Sequence, residues 1–228
     1  MANHGASTFN RVETVLFYPN GEELGVRIRE TKWTRGCMGS TFSFGTTNAA
    51  CVEMTLENDA RIVQGTDWVV RIRESINGGY RTLYEQILFV QDVTRNGKYM
   101  NIVLYGANAH PNMEQIFTYE DGVIHTWWDC LARASQNIGM TIYVLNPEIK
   151  AEMQANAMPL TSEFPRCYQW SVLQYTNRQV IGYIAGAFGL NVTEGAGASY
   201  VLELGNYADS TNEIVACESY AVINGIQS

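Results

Sequence analysis

Nucleophilic catalysis needs a nucleophile, a base within hydrogen-bond reach and a group that orients the base. This chain offers three histidines, His4, His110 and His125, and five cysteines, Cys37, Cys51, Cys130, Cys167 and Cys217. Two pairings would set an imidazole beside a thiol: Cys167 with His110, and Cys130 with His125. Packed, unreactive thiols explain the same residues, and nothing in their spacing favours the reactive reading. The cysteines are odd in number, widely scattered and free of any C-x-x-C pair. That usage fits reduced thiols made in a cytoplasm, not a disulfide framework or a zinc site. Histidine–carboxylate spacing for a metal is absent. The acidic pairs Glu22-Glu23 and Glu120-Asp121 sit by glycines in turn-like contexts, where solvated charge is the ordinary explanation. Gly186-Ala187-Phe188-Gly189 closes a helix instead of opening one, so it is no phosphate loop or dinucleotide fingerprint. Asn191-Val192-Thr193 matches a glycosylation acceptor, which a cytoplasmic origin makes meaningless. Trp127-Trp128 on a helix reads as core more readily than as a ligand platform. The expectation is therefore a protein that is not an enzyme, with no catalytic residue, no cofactor, no metal and no small-molecule substrate.

The elements that would have to position such groups are of two kinds. Up to Gly106 the chain alternates apolar and polar residues with the period of half-buried strands. Val12 to Tyr18 ends at the turn signal Pro19-Asn20-Gly21. Leu24 to Arg29, Cys51 to Leu56, Trp68 to Arg73, Ile87 to Val90 and Tyr99 to Tyr105 follow. Arg95-Asn96-Gly97-Lys98 joins the last two as a hairpin turn. Many short strands with Gly/Asn punctuation predict an antiparallel barrel or sandwich. One pentapeptide recurs, Val26-Arg27-Ile28-Arg29-Glu30 and Val70-Arg71-Ile72-Arg73-Glu74. Either it is ordinary amphipathic strand, or it puts two arginine faces on a subunit interface, opposite a neighbour's carboxylates.

After Gly106 the texture becomes helical. Ala107 to Gly122 reads as a linker or long loop. Ile124, Trp127, Trp128, Leu131 and Ile138 share one helical face, with His125 at the start and Gly139 at the end. A strand at Thr141 to Leu145, a short helix at Glu148 to Ala157 and a loop at Pro159 to Tyr168 come next. Thr176 and Gln179 stand at capping-box spacing, Val180, Ile181, Ile184 and Phe188 recur at helical spacing, and Gly189 occupies a left-handed helix terminus. Leu190 to Thr193, a Gly195-Ala196-Gly197 turn and Tyr200 to Leu204 then form a hairpin. Glu218 to Ile226 reads as a last strand with no partner after it. The expected organisation is α+β: a β-rich, antiparallel barrel-like domain over 1–108, a smaller mixed α/β domain over 109–217, and the start of a further strand or domain over 218–228.

The chain has 228 residues and a net charge of −8. Residues 1–106 carry eleven Lys and Arg against eleven Asp and Glu, whereas residues 107–228 carry four against twelve, so the second half holds the whole imbalance. An acidic surface repels phosphate backbones, which disfavours specific nucleic-acid binding by that half. No apolar run reaches membrane-spanning length, and Met1 to Thr8 lacks the basic and apolar segments of a signal peptide, so membrane insertion is not expected.

The order of these pieces resembles the bacteriophage baseplate hub and tail-tip family, that is, the N-terminal hub domains of siphophage tail-associated lysin-like proteins and of contractile-tail hubs. Gly45 to Leu56 resembles the small-residue turn entering the central hub strand. Leu88 to Val93 with Tyr99 to Ala107 resembles the strand pair that closes the first hub domain. Tyr175 to Leu204 resembles the helix and hairpin of the second, and Glu218 to Ile223 the strand that opens a third. The resemblance implies a structural virion component of a phage or prophage tail, joining the tail tube to the receptor-binding apparatus. It further implies a homotrimeric ring, other tail proteins as partners, and a virion location after synthesis in the bacterial host cytoplasm. Family members normally continue into a further domain and often a peptidase or fibre-binding region; this sequence stops at Ser228, so host-wall cleavage is not carried over. The alternative is a β-sandwich carbohydrate-binding or adhesin module, for which an exposed Trp33 or Trp68 beside a groove would be the sign.

Overall fold

In a computed structural model the chain is described over residues 11–34, 49–76, 78–119, 124, 126–157 and 174–205, and over the backbone of 219–223. Six strands form the first sheet as expected for a barrel: β1 (Arg11–Phe17), β2 (Ile28–Thr34), β3 (Cys51–Glu57), β4 (Asp67–Ile76), β5 (Gly79–Asn96) and β6 (Tyr99–Tyr105). Their order is β1-β4-β5-β6-β3-β2, every pairing is antiparallel, and β1 comes back to lie against β2, so the sheet is nearly closed. The two-residue period explains the closure: Val52, Met54 and Leu56 on β3 and Met100, Ile102 and Leu104 on β6 all point into one shared interior. Trp33, Trp68, Leu88 and Val90 fill it from the other strands. Burying each such side chain is worth about 1.5–3 kcal/mol. The exposed pairs Lys32–Glu53 and Lys98–Glu57 on the outer face contribute roughly 0–1 kcal/mol each. The interior therefore holds the barrel, and the surface ions do not.

Three expectations for this half change. The strand expected at Leu24 to Arg29 lies further on, at Ile28–Thr34. Gly25 adopts φ 71°, a left-handed conformation that ends any extended run through it, while Leu24 turns inward on its own. The segment Ile87 to Val90 proves to be the middle of an 18-residue strand whose first part, Gly79–Glu85, is polar and mostly exposed. Ser219–Ile223, here β10, pairs antiparallel with β2 as the outer strand of this same sheet, so the last strand does have a partner within the chain.

The second sheet has three strands, β7 (Thr141–Val144), β8 (Asn191–Glu194) and β9 (Val201–Gly205), in the order β7-β9-β8. The β8–β9 hairpin is antiparallel as expected, but β7 joins β9 in parallel. Helices α1 (Trp127–Ile138), α2 (Pro147–Ala155) and α3 (Asn177–Ala187) pack on one face of it, around Leu131, Ile142, Met153, Ile181, Ile184 and Leu202. Both long helices start at capping boxes. Thr176 and Gln179 exchange backbone and side-chain bonds at α3, and Thr126 and Asp129 do so at α1, one residue after the expected start at His125. At the end of α3, Leu190 N–H donates to Ala185 O (2.8 Å) and Gly189 N–H to Gly186 O (3.1 Å), a Schellman pair that needs the positive φ of Gly189.

Ala107 to Gly122 is not a linker over its described part. Residues 107–119 form two short 3-10 turns, Ala107–Ala109 and Pro111–Glu114, and bury Met113 and Phe117 completely. The buried Asn177 amide ties them to α3 by donating to Asn112 O and Gln115 O, both at 3.1 Å. The expected loop Pro159 to Tyr168 lies outside the described residues, as do the first four residues of the Gly45 to Leu56 segment. No helix among the described residues is long and apolar enough to cross a membrane.

Candidate functional site

The sharpest concentration of polar chemistry lies where the two sheets meet. Glu194 ends β8, and its carboxylate reaches the barrel. Oε2 accepts from Ala50 N (3.1 Å) and from the Gln86 side-chain amide (2.8 Å), while Oε1 accepts from Asn108 N (2.7 Å). Gln86 is buried on β5, and its own Oε1 accepts from the Tyr84 hydroxyl at 2.8 Å. Gly106 makes room for this carboxylate: a Cβ built there would stand 1.9 Å from Glu194 Oε2. Its backbone (φ −81°, ψ −170°) is open to any residue, so glycine serves close approach here and not conformation.

Two further contacts fasten the same seam. In the turn after β8, Gly197 N–H donates to Glu85 O (2.8 Å) and Gly197 O accepts from Ile87 N–H (2.9 Å), adding a short parallel bridge to β5. The Tyr200 hydroxyl donates to Asp67 Oδ1 at 2.8 Å, and burial, with this carboxylate alongside, pushes the phenol pKa up strongly. The Tyr200 ring meets His110 edge-on at 4.9 Å, and His110 meets Phe89 at 5.3 Å. Each Glu194 oxygen already accepts from fixed donors, two of them backbone amides, so the group acts as a fastener between the sheets and not as a general base.

The residues singled out for catalysis do not gather here as a reactive pair. His110 Nδ1 accepts from Asn112 N (3.2 Å) and caps the second 3-10 turn, and burial holds its pKa below the ordinary histidine value, only partly offset by Asp67. Cys130 is fully buried inside α1. Their expected partners Cys167 and His125 lie outside the described residues, as do His4, Cys37, Cys217, Glu120 and Asp121. Cys51, on the outer face of β3, is held in its thiol form chiefly by burial, although a hydrogen bond with Tyr105 works the other way. Among the described residues no three His, Cys, Asp or Glu side chains come together as a metal site.

The second arginine pentapeptide is satisfied within the chain. Arg71 clasps Glu85 at 2.6–2.7 Å and lies over the Phe17 ring. Arg73 bonds Glu13 (2.7 Å) and Glu23 (2.9 Å) and covers Tyr80. A neighbour's carboxylates are not required, and Glu23 is spent on Arg73 instead of acting with Glu22. Trp33 and Trp68 are 3% and 2% exposed, inside the barrel, so neither is the sugar platform that the adhesin reading called for. Trp127 packs against Phe188 in the second core, and Trp128 lies beneath Lys150. The seam itself had no sequence signal: Asn108 and Glu194 are 86 positions apart, and a lone Gly-Ala pair at 106–107 does not announce a carboxylate.

No protein-family model matches the chain, and no curated protein matches it. Among solved structures it is similar to the 43 kDa tail protein of prophage MuSo2 from Shewanella oneidensis (TM-score 0.48, 17% identity, 84% of this chain and 53% of that one). It is also similar to the tail protein from Neisseria meningitidis MC58 (TM-score 0.46, 12% identity, 86% of this chain and 52% of that one). The chain thus spans about half the length of each of these structures.

Proposed function

We propose that this chain is a structural component of a phage or prophage tail, at the baseplate hub or tail tip, joining the tail tube to the receptor-binding apparatus. One observation carries the reading. One of the segments that carry the sequence resemblance, from the Thr176–Gln179 capping box through Gly189 to the β8–β9 hairpin, folds as one unit, and that unit is fastened to a barrel-like sheet through Glu194. A carboxylate locked between two sheets suits a part that transmits force between neighbours, since two backbone amides fix it in place. In this role the protein is not an enzyme. Its partners are copies of itself, in a homotrimeric ring, and other tail proteins, without specific nucleic acid or membrane insertion. Its place is the virion tail. Disrupting the coding sequence in the producing phage or lysogen tests this. Particles with missing or unattached tails are expected under the electron microscope; particles with normal, infectious tails would overturn the proposal.

A further inference from the structure

The seam between the two sheets is fastened by groups of different chemistry. One is the Glu194 carboxylate, held by Ala50 N–H, the Gln86 amide and Asn108 N–H. Another is His110, whose ring meets both Phe89 of β5 and Tyr200, the residue before β9. His110 also joins the two 3-10 turns: its N–H donates to Ala107 O (3.1 Å) and its carbonyl accepts from Met113 N–H (2.9 Å). Barrel, connecting turns and second sheet therefore come together on one imidazole.

That imidazole serves in one protonation state. Nδ1 accepts from Asn112 N–H at 3.2 Å, so the neutral ring carries its hydrogen on Nε2. An arriving proton has the Nδ1 lone pair as its site, and an N–H cannot accept, so the proton and the Asn112 bond exclude each other. The amide left behind belongs to the turn that buries Met113, and Asn112 O ties that turn to α3 through the Asn177 amide. Among the described residues, Asp67 on β4 is the charged group that acts on the ring, and it favours the proton. Tyr200 faces the ring with a phenol whose hydroxyl donates to Asp67, and β5 offers the apolar Phe89. Glu194 on β8 acts on Tyr200, and Glu114, on the same turn as His110, is engaged by Arg178.

We propose that His110 is an acid-released latch: protonation at Nδ1 frees the turn over residues 110–114 and parts the ring from Phe89 and Tyr200, while the Glu194 clasp keeps the sheets joined. Histidine is the side chain whose charge changes near physiological pH, and a seam with a second fastener can open locally without unfolding either sheet. Burial lowers the pKa of the ring in the closed seam, and an opened, solvated ring regains the ordinary value near 6.5. The open form therefore takes the proton first. Closure is complete above about pH 6.5 and weakens progressively below it. The latch stands on the geometry of the seam and is independent of the tail reading.

Hydrogen exchange of the full chain at about pH 7.5 and about pH 5, corrected for the intrinsic pH dependence of amide exchange, tests it. Protection over residues 107–119 and 195–201 should fall about three- to tenfold at the lower pH relative to β3 and β6, the worth of one backbone hydrogen bond. His110→Asn keeps an acceptor and does not titrate, so its protection should stay constant. Asp67→Asn keeps an acceptor for Tyr200 but removes the charge that favours the closed, protonated ring, so its loss at low pH should be larger than in the wild type. Should His110→Asn misfold, the nitrogen resonances of the wild-type imidazole give the second reading, with the hydrogen on Nε2 at neutral pH. Wild-type protection that does not change with pH, an equal loss in His110→Asn, a smaller loss in Asp67→Asn, or a hydrogen on Nδ1 at neutral pH would each overturn the latch. So would a loss spread evenly over β3, β6 and the seam, which is global unfolding. None of these readings involves particles, so failure of the latch leaves the tail reading to its own test.

Discussion

Substituting alanine for Gly106 should be costly only while Glu194 is present. The new methyl group would sit 1.9 Å from Glu194 Oε2, 2.5 Å from Cδ and 2.7 Å from Oε1, so the whole carboxylate must shift by about 1 Å or more. Bonds of 2.7–3.1 Å to Ala50 N, Asn108 N and Gln86 do not survive that displacement together. A bond to a charged acceptor is worth about 1.5–3 kcal/mol, and a donor left buried without a partner costs a similar amount. Gly106→Ala should therefore destabilise by about 3 kcal/mol, a fall in Tm of roughly 6–12 °C for a chain of this size. Glu194→Ala alone should cost about 3–5 kcal/mol for the same bonds. In that background the space beside Gly106 is open and its backbone suits any residue. Gly106→Ala should then be neutral, or stabilise by about 0.4–1 kcal/mol through the unfolded chain. Urea denaturation of the wild type, both single variants and the double variant measures the cycle. A coupling of about 3 kcal/mol stands well above the scatter of roughly 0.3–0.5 kcal/mol expected for independent sites. Equal costs of Gly106→Ala in the two backgrounds would refute the idea that this glycine exists to admit the carboxylate.

Removing the Tyr200 hydroxyl with Tyr200→Phe should cost about 1.5–3 kcal/mol, because its acceptor Asp67 is a carboxylate; a change under about 0.5 kcal/mol in the denaturation midpoint would count against that bond. His110 should make stability depend on pH. Its folded pKa is depressed by burial, so the unfolded chain takes up the proton first, and the contribution is intact above the ordinary value near 6.5 and lost as pH falls below it. His110→Asn keeps a capping acceptor and should flatten the stability curve below about pH 6.5; an unchanged slope would assign the titration to another group. At α3, Thr176→Ala should lower stability by about 1 kcal/mol through loss of the cap, and Gly189→Ala by a similar amount at φ 66°, both read from the thermal midpoint.

Local sequence signals mark the elements that a single interaction sets. The alternation in Cys51 to Leu56 and Tyr99 to Tyr105 is the direct imprint of a sheet with one wet face, and those strands lie where it puts them. The Thr176–Gln179 box and Gly189 bound α3 because capping is decided within four residues. Polar strands were harder. Ile28–Thr34 hides only Ile28, Thr31 and Trp33 among charged neighbours, and its register shifts between Ile28 and Glu30, which scrambles the period. The early part of β5 is exposed on both faces, so burial left no mark on its sequence. The parallel β7–β9 pair and the contact of β10 with β2 join distant segments, and nothing local encodes which strand a free edge will find. Glu194 illustrates the same limit at the seam: its three donors come from three separate segments, residues 50, 86 and 108.

The most direct test of the structural-tail assignment is the location of the chain in assembled particles. Purified particles from the producing phage or lysogen, labelled with an antibody to this chain and gold, should show label confined to one end of the tail, with the protein present in a small fixed number of copies per particle by mass spectrometry. Particles free of the chain, with the protein remaining in the cell lysate, would contradict the assignment.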